Sequence, residues 1–97
     1  MKEVFNKRNA NAHTLNGMCK AFTKKYKGLV LSCMPVNLKN GVVEAVRVTV
    51  IEPISKTKID FRFNLDGEDI LDSVDNINLI SLKIQDLCEN IGKNTTN

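Results

Sequence analysis

The sequence has no tryptophan, one histidine, two prolines and three arginines. What is scarce excludes a good deal. His13, the lone histidine, sits among Asn and Thr, so there is neither an imidazole metal cluster nor a base paired to a nucleophile. Cys19, Cys33 and Cys88 form no C-x-x-C, are odd in number and each lie within an apolar pattern. They therefore read as free thiols packed as small hydrophobes in a reducing compartment, not as a disulfide framework or a zinc site. Gly17, Gly28, Gly41, Gly67 and Gly92 are isolated, which leaves no phosphate-cradling loop and no nucleophile elbow. Apolar runs such as Leu29-Val30-Leu31 fall far short of the roughly 20 residues that span a bilayer. Met1-Lys2-Glu3-Val4-Phe5 is followed by Asn, Lys and Arg, which predicts no secretory leader. At 97 residues the chain is one domain, too small for a catalytic barrel. Its size implies that about 60–65% of the unfolded surface is buried on folding.

What is present is a lopsided charge. The net +3 conceals two unlike halves: residues 1–58 hold eleven Lys/Arg and three Glu, a net +8, while residues 59–97 hold three Lys/Arg and eight Asp/Glu, a net −5. Such asymmetry predicts an anionic partner for the first half or attraction between unlike faces. Eleven Lys, eight Ile and twelve Asn, all with AT-rich codons, point to the genome of a low-GC bacterium, or of a plasmid or phage resident there.

Periodicity supplies the elements. Residues 1–12 are polar and read as an N-terminal arm. From Thr14 to Lys27 the positions Leu15, Met18/Cys19, Phe22 and Tyr26 form one helical stripe, with Thr14 as N-cap and Gly28 as terminator. Lys20, Lys24 and Lys27 fall on the opposite, basic face. Leu29–Val36 is a short strand closed by Pro35, and Asn40-Gly41 signals a turn. Val42–Glu52 is a valine-rich strand stopped by Pro53. Lys58–Leu65 alternates, with Ile59, Phe61, Phe63 and Leu65 on one side and Lys58, Asp60, Arg62 and Asn64 on the other. Asp66 reads as an N-cap for a short helix near 67–73, followed by a longer one near 76–91 ended by Gly92, although a single continuous helix also fits the spacing. Residues 93–97 read as a frayed tail. The expected fold is α+β: a helix, a three-stranded antiparallel sheet, then one or two C-terminal helices packed on one sheet face.

Within that fold, nucleic-acid binding is the leading expectation, double-stranded DNA ahead of RNA. The outward face of the sheet would carry Arg47, Thr49, Lys58, Arg62 and Asn64, residue types that read base edges in a major groove. Lys7, Arg8, Lys20, Lys24 and Lys27 would hold phosphates. Asp60 shares the sheet face. Phe61 and Phe63 lie with Ile59 on the apolar side, which leaves no stacking platform for single strands. Asp66, Glu68, Asp69, Asp72 and Asp75 miss the EF-hand pattern and read as acids at a helix start. No catalytic residue, metal or cofactor is expected. The chain reads as a non-enzymatic accessory protein of the cytoplasm, with no membrane contact.

The order of elements over residues 14–91 is similar to that of the double-stranded RNA-binding domain, including a Leu15-Asn16 in the first helix. It departs from that family where the second helix begins, because Asp66-Gly67-Glu68-Asp69 is acidic where phosphate contact calls for base. No site is carried over from it. The chain also resembles, in element order alone, phage-encoded inhibitors such as some anti-CRISPR proteins. That resemblance implies the alternative function, a protein-binding module acting through its acidic C-terminal half. A homodimer is a further expectation, since Ile70, Ile77, Ile84 and Ile91 recur every seven residues, as a dimer seam would require.

Overall fold

The computed structural model describes residues 2–95 in backbone and residues 7–92 in side chain. Its order is α1 (Lys2–Lys25), β1 (Val30–Asn37), β2 (Val43–Ile51), β3 (Lys58–Asn64), a single 3₁₀ turn (Ile70–Asp72) and α2 (Val74–Thr95). The strands form one antiparallel sheet in the order β1-β2-β3. This is the α+β arrangement the sequence predicts.

Four boundaries move. The expected arm is helical: α1 starts at Lys2, and Thr14 is not its cap, because its hydroxyl donates to the Ala10 carbonyl one turn earlier. The buried stripe of Leu15, Cys19 and Phe22 continues backward through the half-buried Asn11 and Arg8. Both polar heads are partnered. Arg8 pairs with Asp69 and donates to the Gly41 carbonyl (2.6 Å), and Asn11 Nδ2 donates to the Leu71 carbonyl (2.9 Å). Pro35 does not end β1 but lies inside it opposite Val46, which an edge strand tolerates because its free side needs no donor. The predicted cap moves from Asp66 to Asp69. Asp66 and Gly67 turn with positive φ (47° and 82°), and Asp69 caps the 3₁₀ turn, accepting from the Leu71 amide (3.2 Å). Ser73 is extended and separates that turn from α2, so the C-terminal region is two helical pieces; the Ser73 hydroxyl accepts from the Asn76 amide (3.2 Å). Gly92 lies within α2, which continues to Thr95, so the expected frayed tail is helical up to that residue and Thr96-Asn97 lie outside the described residues.

Register fixes the two sheet faces. Val46, Val48 and Val50 of β2 stand opposite Phe63, Phe61 and Ile59 of β3 and share their face. Leu15, Cys19 and Phe22 of α1 and Ile77, Ile80 and Ile84 of α2 pack on this side in one continuous core. Ile70, Ile77 and Ile84 are buried in that core and Ile91 packs against it, so the seven-residue isoleucine repeat faces the sheet and is no dimer seam. At about 25 cal/mol per Å² of apolar area, each fully buried isoleucine contributes about 2–3 kcal/mol before entropy is counted.

The two helices run parallel. Asn11 of α1 meets Leu71 just before α2 at one end, and Lys27 and Gly28 beyond α1 line a common cleft with Gly92 of α2 at the other. α1 lies over β1 and α2 over β3. Their outward faces therefore point the same way, and the other face of the sheet is uncovered.

Candidate nucleic-acid interface

The expected site residues fall into three groups. The sheet group lies on the uncovered face, where Arg47 stands opposite Arg62, Thr49 opposite Asp60 and Lys58 opposite Ile51. Here acids already engage the arginines. Arg47 donates to Asp60 (2.6 Å), the Thr49 hydroxyl donates to the other oxygen of the same carboxylate (2.6 Å), and Arg62 pairs with Glu44. Glu44 reaches Arg62 from the irregular start of β2, where the pairing with β1 skips from Val36/Ala45 to Asn37/Val43. The hydrogen bonds from Thr49 and Arg47 hold the Asp60 carboxyl below the usual carboxylate range. Exposed pairs of this kind are weak and breakable, but they leave this face nearly neutral. Lys58 and Asn64 are exposed at the two ends of β3.

Arg8 stands apart, as a structural residue. It and the Val43 and Leu71 amides all donate to Asp69, whose side chain is 12% exposed. Burial pushes the Asp69 carboxyl up, but these hydrogen bonds outweigh it and leave the group below its ordinary value. The Asp69 carbonyl also accepts from Asn76 Nδ2 (3.3 Å). Asp69 thus ties α1, the start of β2, the 3₁₀ turn and α2 together. Lys7, exposed beside Arg8, shares an open cleft with Asn11, Leu71 and Asp72.

The helix group is Lys20, Lys24 and Lys27. All three are exposed, and among the described residues no acid pairs with them. Between Glu3 and Glu44 the sequence has seven Lys or Arg and no Asp or Glu, so α1 and β1 offer them no local counter-charge. Lys25, next to them, lies over the Tyr26 ring, 5.4 Å from its centroid. Beyond the helix Lys27 shares an open cleft of about 410 Å³ with Gly28, Leu29, Ile51, Pro53 and Lys56, which brings a second lysine to the same end. The helix and sheet groups lie on opposite sides of a molecule whose shorter Cα dimensions are 22 and 18 Å. They cannot both face one straight duplex.

The remaining chemistry-bearing residues assemble no centre. His13 is exposed on α1, and among the described residues no three His, Cys, Asp or Glu side chains are placed to hold a metal. Cys19 and Cys88 are buried and Cys33 half-buried. The Cys33 thiol is pushed up first by its hydrogen bond with Cys19 and then by burial, which keeps it protonated. No described helix is long and apolar enough to cross a membrane. Comparison with known proteins finds no matching family model, no matching curated protein and no matching solved structure.

One feature escaped the sequence reading. Leu79 and Leu82 of α2 point away from the core, 49% and 59% exposed, among Asp75, Asp86 and Glu89. The signal was there in the helical phase, half a turn from Ile77, Ile80 and Ile84.

Proposed function

We propose that this chain is a non-enzymatic accessory protein that binds double-stranded nucleic acid, DNA ahead of RNA, by its phosphates through the outward face of α1. The observation that supports this reading is a contrast in pairing. All three arginines have acid partners, whereas among the described residues Lys20, Lys24 and Lys27 have none, in a stretch that contains no acid. Lys20 and Lys24 lie one helical turn apart, about 6 Å at 1.5 Å per residue, and Lys27 follows in the turn just beyond α1, so the three can meet neighbouring phosphates of one strand. Lysine acts here as a point charge, suited to backbone contact rather than base reading. Binding through this face is therefore weakly selective for sequence.

A labelled duplex titrated with the wild type, with Lys20→Gln/Lys24→Gln/Lys27→Gln and with Arg47→Ala/Arg62→Ala tests the assignment. Loss of binding in the lysine variant with less than about a twofold change in the arginine variant is the expected outcome. The reverse pattern transfers the interface to the sheet. Absence of salt-sensitive binding by the wild type removes the reading altogether.

A further inference from the structure

The outward face of α2 is the charge complement of the outward face of α1. It presents Asp75, Asp86 and Glu89 around the exposed Leu79 and Leu82, with Lys83 at its far edge. α1 presents His13, Gly17, Lys20 and Lys24. Gly17 is unexplained within the fold: it sits in mid-helix, needs no positive φ, and a Cβ there would meet nothing within 4 Å. A helical glycine in such a place costs about 1 kcal/mol against alanine.

The parallel helices set the levels of these groups. Taken in proportion between the two ends, where Asn11 reaches Leu71 and Gly28 shares a cleft with Gly92, Leu79 stands near the level of Gly17 and Met18, Leu82 near Lys20, Asp86 near Thr23 and Lys24, and Glu89 near Lys25 and Tyr26. A two-fold rotation about an axis parallel to the helices preserves level and places α1 of one copy over α2 of the other. Leu79 then falls near Gly17, Asp86 beside Lys24, and Glu89 beside Lys25. A two-fold axis across the helices would instead set lysines against lysines. Charge therefore selects the first arrangement.

We propose that the outward helix faces of two copies pair in this way, as a reversible two-fold dimer with Leu79 set against Gly17 and carboxylates against the α1 lysines. The matching stretch, 15 residues of each helix, is about 22 Å long and about 20 Å wide at 1.5 Å per residue and about 10 Å per helix. Two such faces bury roughly 900 Å², the size of a weak, exchangeable contact. The dimer occupies the lysines assigned above to phosphate, so the second copy's carboxylates stand in for the nucleic acid and the two states exclude each other. That exclusion, unlike the pairing itself, rests on the proposed function.

Sedimentation of the full chain at low salt, from about 10 μM to about 1 mM, tests the pairing, with a dissociation constant on the order of 100 μM expected. The 10.9 kDa monomer should give way to a species of twice that mass. Asp86→Lys and Lys24→Glu should each abolish association, and the double variant should restore it by reversing the pair. All three are checked by thermal melts, which exposed substitutions leave in place. A wild type that stays monomeric throughout, or single variants that associate as it does, overturn the pairing. Adding unlabelled duplex should convert dimer to duplex-bound monomer. Duplex bound by an intact dimer overturns the exclusion, and a dimer indifferent to duplex refutes the proposed function while leaving the pairing in place.

Discussion

Asp69 makes a quantitative case for how this fold is held. Replacing it with alanine removes three acceptor contacts at once, from Arg8, the Val43 amide and the Leu71 amide. Loss of a cap to the Leu71 amide costs about 1 kcal/mol. An amide left unpaired at the part-buried Val43 costs about 1 kcal/mol more. The Arg8 contact is charge-assisted, but Arg8 is 35% exposed, so it is discounted to about 1 kcal/mol. The sum, about 3 kcal/mol, lowers the melting temperature by about 12–24 °C for a domain of this size. Far-UV circular dichroism melts of wild type, Asp69→Ala and Asp72→Ala measure it. Asp72 lies 4.0 Å from Arg8 with 69% of its side chain exposed, so its removal should shift the melt by less than about 2 °C. Acid gives an internal check. The folded Asp69 carboxyl lies below its ordinary value of 3.8, so its contribution is complete above that pH and is lost as pH falls through the folded value. The gap between wild type and Asp69→Ala should therefore narrow below pH 3.8. An Asp69→Ala protein that melts within about 4 °C of wild type at neutral pH refutes the hub.

The other predictions concern the helix and sheet faces. If Lys20, Lys24 and Lys27 neutralise three phosphates, the logarithm of duplex affinity should fall with that of salt at a slope of about −2.7, a loss of about 40-fold between 50 and 200 mM. Gly17→Ala should raise the melting temperature of the monomer by about 4–8 °C, measured in dilute solution where no pairing contributes. Asp60→Asn frees Arg47 on the uncovered sheet face; duplex affinity should change by less than about twofold, and a tenfold gain would show the sheet to be the reader.

The order of elements was legible because three signals agreed: alternation along Ile59 to Leu65, the valine run of β2, and the 3.6-residue stripes of the helices. The first half of α1 was not, because Arg8 and Asn11 occupy core-facing positions that an apolar count rejects. Their burial depends on acceptors 60 or more positions away in sequence. Asp66 and Asp69 illustrate a similar ambiguity, since both can cap and only the turn at Gly67 decides between them. For the candidate site, exposure of Lys20 and Lys24 followed directly from their spacing opposite Leu15, Cys19 and Phe22. The pairing of Arg47 with Asp60 and of Arg62 with Glu44 depended on strand register, which one sequence only partly specifies.

The link between Arg8 and Asp69, 61 positions apart, also orders the chain in time. Short isolated helices are marginal in water, and the opening turns of α1 bring few apolar groups of their own. During synthesis their tertiary anchors, Asp69 and the Leu71 carbonyl, emerge only after all three strands. The first segment made is thus among the last to be locked. A nascent chain arrested before residue 69 should therefore leave the beginning of α1 open to protease.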